Sequence, residues 1–366
     1  MLPEKKIILF QFLGSNKQFF DQSGDDNRNQ FFRFLIKDFF KKGFISEPLY
    51  KQDLNKVKAI LFFDMHSVYP IYGNIFQKIR FFVFNLLRQD TSSRNIFQEE
   101  KKLNKKIYKF LIAFEPSIVC KDNFNPLNAP LFNRTFSWSK NCCGGKSKNT
   151  IIRLPIPNLK FQKLCSSKFR HKKVLVSISS NKGSYKKGSL CEFKYKAYDN
   201  LFKQLGNEFD LYGYMWDQSF ISWFLKFIRG TKSKYFLKLP PYYKGSVKNK
   251  NKILSNYKFC LTIENMSENS FITEKIFNAI YAGCVPIYFG ALNVCQDIPQ
   301  ECFINLREFD NWRQLCNFLI NYSVDDYEKF LTSRDKFLKS NKYKSFTSKS
   351  FSRILTSKIS KEILFE

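Results

Sequence analysis

Histidine is nearly absent, with two residues in 366, and the acidic residues number 31 against 61 lysines and arginines. Ten cysteines are present, but no two C-x-x-C pairs stand at metal-site spacing, so the common structural zinc sites have too few ligands here. No Asp-x-Asp occurs that could hold a divalent ion. No signal peptide is visible. Residues 1–13 contain an apolar run too short to span a bilayer and read better as a first strand, and 74–88 are interrupted by Lys78, Arg80 and Arg88. The expectation is therefore a cytoplasmic protein in a reducing compartment. Internal repeats are missing, as are RNP, zinc-finger and helix-turn-helix patterns, which weighs against specific nucleic-acid binding.

The charge itself is large, +30 in formal terms, and attracts anions of any kind, whether nucleic acid, membrane surface or nucleotide sugar. The basic residues are spread along the chain, as expected for Lys used as a common surface residue. Length allows two domains of ordinary size, and 44% hydrophobic content can fill two cores. The 43 phenylalanines read as a compositional bias rather than as functional residues one by one.

Strands are expected at 5–12, 57–63, 107–114, 132–138 and 151–156, with an amphipathic helix over 28–42 closed by Gly43. Pro155, Pro157 and the polar run to Lys172 mark a boundary. Beyond it the expectations are strands at 173–179 and 209–213, helices at 190–205 and 215–229, and a basic loop at 238–252. The richest stretch, 257–290, reads as strand, loop, helix, strand: Tyr257 to Ile263 is apolar, Glu264 to Phe271 polar, and Ile276, Ala279, Ile280 and Ala282 form a helical stripe. Thr273 is the expected N-cap, Gly283 the stop, and Val285 to Phe289 a buried strand. Alternating strands and helices in both halves imply an α/β architecture of two Rossmann-like parallel-sheet domains with a cleft between them. A helix N-terminus at the end of a strand offers unpaired N–H groups to an anion, Lys275 adds a positive charge, and Glu274 can accept hydrogen bonds from sugar hydroxyls. Capping alone would equally explain Thr273 and Glu274.

Tyr257-Lys258-Phe259, Glu264-Asn265, Ile272-Thr273-Glu274-Lys275 and Val285-Pro286-Ile287 to Gly290 resemble the donor-binding signature of glycosyltransferase family 10, the α1,3/4-fucosyltransferases. The similarity continues through Ile298-Pro299 and Phe303-Ile304-Asn305 to Phe309, and more weakly over 55–335. Two departures stand out: Ile263 precedes Glu264 where the family has Phe, and Phe271 replaces a Tyr. The resemblance implies the GT-B fold, with an acceptor-binding domain over 1–160, a GDP-fucose-binding domain over 170–335 and a basic tail over 336–366. It implies inverting transfer of L-fucose from GDP-fucose to a glycan acceptor, at O3 of GlcNAc or Glc, by an enzyme of the bacterial or viral soluble type.

By the same resemblance, Glu115, in Phe114-Glu115-Pro116, is the base that takes the acceptor hydroxyl proton, and Asn133 to Trp138 match a family segment downstream of it. Glu274 joins it in the catalytic set. Lys194, Asn265, Phe271, Thr273, Glu274, Lys275 and Tyr212 are the implied donor-binding residues, with Lys194 standing where relatives carry Arg and Lys196 or Lys186 as alternatives. No metal is required, since cationic side chains and helix N-termini can neutralise the diphosphate. Two other readings stay open: a GT-B enzyme for a different nucleotide sugar, and a non-catalytic basic protein that binds nucleic acid or membrane. The tail sets Phe351, Ile354, Leu355 and Ile359 at helical spacing beside basic residues. It reads either as a peripheral contact to anionic membrane or as a helix packed on the first domain.

Overall fold

The computed structural model describes residues 6–11, 30–48, 53–65, 96–103, 105–157, 161, 163–166, 168–181, 186–216 and 239–365. The apolar run 74–88 and most of the helix-forming stretch 215–229 lie outside them. The chain divides into two compact units, one of residues 1–158 with 345–366 and one of residues 159–344.

In the first unit, β1 (Lys6–Gln11), β2 (Phe44–Pro48), β3 (Val57–Phe63), β4 (Tyr108–Ala113), β5 (Arg134–Ser137) and β6 (Asn149–Ile151) form an all-parallel sheet in the order β2-β1-β3-β4-β5-β6. Six of the seven β3 positions, all but Lys58, are buried, as a parallel strand covered on both faces requires. The helix α1 (Gln30–Lys41) buries Phe31, Phe32, Leu35 and Phe39, and α2 (Ile96–Lys101) leads towards β4. Strand β2 was not expected: a five-residue segment with Ser, Glu and Pro carries no continuous apolar run. The strand expected at 151–156 instead covers 149–151, and Ile156 makes an isolated bridge to Thr347.

The second unit has a parallel sheet of β7 (Lys173–Ile178), β8 (Phe209–Tyr212), β9 (Tyr257–Ile263), β10 (Val285–Phe289) and β11 (Ile304–Asn305), ordered β11-β10-β9-β7-β8. Its helices are α3 (Cys191–Leu205), α4 (Lys250–Leu254), α5 (Glu274–Ala282), α6 (Trp312–Ile320), α7 (Val324–Lys339) and α8 (Asn341–Ser345). The short α4 falls partly within the expected basic loop. Each sheet reverses its strand order once, beside β1 in the first unit and beside β7 in the second. In open α/β sheets such switch points are where ligands bind, at the carboxyl ends of the strands.

The basic tail expected over 336–366 is corrected. Residues 336–339 complete α7, and α9 (Ser348–Phe365) is an 18-residue helix of the first unit. Phe351, Leu355 and Ile359 are buried against Phe31, Leu35 and Phe39 of α1. Ser352 Oγ donates to Asp38 at 2.7 Å, Arg134 Nε donates to Glu362 at 2.7 Å, and Ser348 Oγ donates to the Ile156 carbonyl at 2.7 Å. The apolar stripe that an interfacial helix would offer to lipid is spent on the core, which is where hydrophobic periodicity and burial agree. Among the described residues no helix is long and apolar enough to cross a membrane.

Leu355 has no solvent exposure, so Leu355→Ala should lower the midpoint of urea unfolding by the equivalent of about 2–5 kcal/mol. The exposed Lys358→Ala on the same helix should stay within about 0.5 kcal/mol of the parent. Equal effects of the two would remove α9 from the core.

Candidate active site

Strand β9 ends at Ile263, beside the switch point, and the next residue is a carboxylate with no solvent exposure. Glu264 accepts from three donor groups. Thr273 N–H reaches Oε1 at 2.9 Å, Thr273 Oγ1 donates to the same carboxylate at 2.9–3.0 Å, and Lys275 Nζ lies 2.8 Å from Oε2. An unpaired charge at such depth would be costly, so these contacts are what allow it to stay there. Room for it comes from Gly290, at the end of β10. A Cβ there would fall 2.6 Å from Glu264 Cγ and 2.4 Å from Tyr288 Oη, so no side chain fits. Arg307 then donates to the Gly290 carbonyl at 2.8 Å and covers the Phe289 ring at 4.1 Å.

Thr273 takes the N-cap position of α5, but its side chain does not cap the helix: the hydroxyl is turned onto Glu264. Gly283 ends α5 in the left-handed conformation, φ 68°, as its place after the apolar stripe predicts. The carbonyls of the last turn are taken by the fully buried Arg334, which donates to Ile280 and Tyr281 at 2.8 Å each, and by Tyr327 Oη, which donates to Gly283 at 2.7 Å. A cation at the C-terminal end of α5 is the favourable arrangement for the helix dipole.

Helix α3 brings Lys194 to the same place. Leu190 N–H donates to the Asn265 carbonyl at 2.9 Å, which docks the start of α3 on the loop after β9, and Lys194 Nζ donates to Asn265 Oδ1 at 2.9 Å. Lys194 is 6% exposed. Burial, and then the charge of Lys275, lower its pKa to about 7. Of the two alternatives, Lys196 points to the surface and pairs with Glu192 at 2.9 Å, and Lys186 stands in the exposed loop before α3. Lys194, Asn265, Thr273 and Lys275 are thus brought together, with Glu264 among them. Glu274 is half-exposed and faces Lys250 at 3.8 Å. Phe271 is buried. Tyr212 closes β8, and its hydroxyl lies 3.4 Å from that of Tyr257, away from the Glu264 cluster in sequence and hydrogen bonding. A cavity beside the cluster is lined by Ser177, Ser179, Thr262, Lys275 and Asn278.

In the first unit Glu115 is half-buried, in the turn that follows β4. The segment 133–138 forms β5 alongside β4, and Trp138 Nε1 donates to the Phe114 carbonyl at 3.0 Å. Asp64, directly after β3, accepts the N–H groups of Phe114 and Glu115 at 2.7 and 2.9 Å. Among the described residues no group of three or more His, Cys, Asp and Glu could hold a metal ion, and none of the ten cysteines is in a disulfide.

Sequence reading placed Glu264 in the family signature but gave it no role, and did not single out Asp64. The signal they share is an acid placed directly after a buried apolar strand, LTIE and LFFD. Such a residue reads as a solvated strand end unless something shows that it is enclosed.

Glu264→Gln removes the charge that holds Lys275 while leaving an acceptor for Thr273. It should cost about 1.5–3 kcal/mol, the value of hydrogen bonds to charged groups, seen as a lower urea midpoint at unchanged slope. An unaltered midpoint would mean that the pair contributes nothing.

Residues 193–360 match the family model described as "Glycosyltransferase family 10 (fucosyltransferase) C-term". The chain is 38% identical over 74 residues, 20% of its length, to the alpha-(1,3)-fucosyltransferase FucT of Helicobacter pylori. It is 42% identical over 66 residues, 18% of its length, to the alpha-(1,4)-fucosyltransferase of Arabidopsis thaliana. Each match spans 16% of the relative's own length. In fold, it is similar to a crystal structure of alpha1,3-fucosyltransferase with GDP-fucose, with a TM-score of 0.50 and 15% identity, over 99% of this chain and 90% of that one. The two parallel-sheet α/β units are those of the GT-B class. It is through the 193–360 segment that the chain is similar to glycosyltransferase family 10, the fucosyltransferases.

Proposed function

We propose that the chain transfers L-fucose from GDP-fucose to a hydroxyl of a glycan acceptor, O3 of GlcNAc or Glc, with inversion at the anomeric carbon. The observation that carries this reading is the cluster at the end of β9, where Thr273 and Lys275 at the start of α5 meet the buried Glu264 carboxylate and Lys194 is held on the neighbouring Asn265. The diphosphate of the donor is the natural ligand for such a place: helix N-termini and ammonium groups both favour a phosphate anion.

Charge counting sets the roles. Glu264 offsets the charge of Lys275, so Lys194 supplies the excess positive charge at the cluster when it is protonated. As the bond from fucose C1 to the diphosphate breaks, negative charge grows on the leaving group. Lys275 at the start of α5 and Lys194 then hold it more strongly than they hold the ground state, which accelerates the chemical step. Asn265 and Glu274 accept or donate to sugar hydroxyls, and Tyr212 serves the guanosine end. Thr273 contributes by fixing the start of α5, and Phe271, lacking the family's hydroxyl, by packing. Glu115 takes the proton from the attacking acceptor hydroxyl. With these cations neutralising the diphosphate, transfer needs no metal ion and should persist in EDTA.

The decisive assay is transfer from GDP-fucose to lactosamine-type acceptors, with UDP-sugars as competitors. Glu115→Gln should bind GDP-fucose as the parent does and lose about 10²–10⁴-fold in turnover. Lys275→Ala should lose both affinity and kcat. Wild-type transfer from a UDP-sugar in preference to GDP-fucose would overturn the donor assignment, and near-normal turnover by Glu115→Gln would overturn the base.

A pH dependence follows from Lys194. Its ammonium in the unliganded protein has a pKa of about 7, and an anionic ligand binds the protonated form. Below that value Lys194 is already charged. Above it, binding must take up a proton, so the GDP-fucose affinity should fall as pH rises, by up to about tenfold per unit. Lys194→Arg, charged throughout, should bind with little dependence on pH over the same range. Calorimetry with GDP-fucose, a phosphodiester with no titrating phosphate in this range, reads both slopes; equal slopes would discard the mechanism.

A further inference from the structure

The turn that carries Glu115 is held by a second acid whose own backbone is unusual. Asp64 has φ 58°, in the left-handed region that few non-glycine residues adopt, although Asp and Asn do so more readily than others. That conformation follows β3 directly and sets the carboxylate across the end of β4. One oxygen, Oδ1, accepts from Phe114 N–H at 2.7 Å, Glu115 N–H at 2.9 Å and Asn123 Nδ2 at 2.7 Å. The fully buried Asn123 closes the arrangement. Its Nδ2 also donates to the Glu115 carbonyl at 3.0 Å, and its Oδ1 accepts from Met65 N–H at 2.8 Å. Trp138 holds the Phe114 carbonyl from the other side.

Both peptide groups that flank the Glu115 Cα are therefore fixed by side chains, beyond the last residue of β4. The direction in which the Glu115 side chain leaves the backbone is set by them. Hydrogen bonds from N–H to a carboxylate are the stronger, charge-assisted kind, which suits a task of holding a turn rigid. Asp64 itself is half-buried: desolvation raises its carboxyl pKa above the ordinary value, and the bonds from Glu115, Asn123 and Phe114 oppose that rise.

We propose that Asp64, together with Asn123, is the positioning residue for Glu115, fixing the turn after β4 so that the Glu115 carboxylate meets the acceptor hydroxyl. The proposal rests on the reading of Glu115 as the base. Asp64 touches no reacting atom; it acts through the backbone of its neighbour. Misplacement of a catalytic group by a fraction of an ångström slows chemistry without weakening a substrate that other residues bind.

The test is a double-mutant cycle on the full chain with GDP-fucose and a lactosamine acceptor. Asp64→Ala should lower kcat by about 10–100-fold and leave the GDP-fucose dissociation constant within about twofold. Asp64→Asn keeps an acceptor oxygen and tolerates the left-handed backbone, and should retain kcat within about fivefold. In a Glu115→Gln background, Asp64→Ala should cost little more, since the group it positions is already gone. If Asp64→Ala is not recovered folded, Asp64→Gly, free of backbone strain, carries the same comparison. An unchanged kcat in Asp64→Ala, a loss that falls wholly on donor affinity, or full additivity with Glu115→Gln would each overturn the positioning role while leaving Glu115 as base. Normal turnover by Glu115→Gln would bring down both.

Discussion

A carboxylate with no access to water is the group in the second unit with the most to lose, and the surroundings of Glu264 are arranged to satisfy it. The bare glycine at 290, the hydroxyl of Thr273 turned away from its helix and the ammonium of Lys275 all meet on two oxygen atoms. Thr273 and Lys275 belong to the start of α5, Gly290 follows β10 and Glu264 follows β9, so three stretches of chain are tied at one point. Removing one partner of such a pair leaves a charge that the interior cannot solvate. The opposite end of α5 is held by Arg334 and Tyr327, so the helix is fixed at both ends and its N-terminus is presented in one position.

The first unit uses the same device on a different task. Asp64 after β3 and Glu264 after β9 are both acids at the carboxyl end of a strand next to the place where the sheet reverses direction. Both accept backbone N–H groups from the segment that carries the chemistry. In neither case is the enclosed acid the one that meets substrate in the proposed reaction. In the proposed reaction each unit would separate a carboxylate that organises, Glu264 fully buried and Asp64 half-buried, from the groups that react.

Much of this was legible in the sequence because parallel strands buried on both faces appear as unbroken apolar runs, as in Ala59 to Phe63 and Phe259 to Ile263, and because Gly283 marks a helix end without ambiguity. The site residues grouped around Lys275 could be named from a short segment, since α5 and the loop before it supply most of them. What could not be read has common causes. Strand β2 is too short and too polar to show a period. Phe351, Leu355 and Ile359 announce a face that avoids water without saying what covers it, and the α1 side chains that do lie at the other end of the sequence. Glu264 and Asp64 look like solvated strand ends because their enclosure depends on residues distant in the chain, Gly290 for one and Asn123 for the other.

The return of α9 to the first unit makes the second unit an insertion within the first. Its contacts join Asp38 to Ser352 and Arg134 to Glu362, separations of 314 and 228 residues. During synthesis, the sheet of the first unit and α1 emerge early, but the part of their shared apolar face that Phe351, Leu355 and Ile359 cover stays open until residues 348–365 have left the ribosome. The second unit, continuous from 159 to 344, has all its partners sooner. Contacts of such long range are slow to form, because the entropy of closing the intervening chain must be met before they reward it. The order of maturation is thereby inverted relative to the order of translation: the inner unit can close first, and the half that began the chain is the last to be sealed.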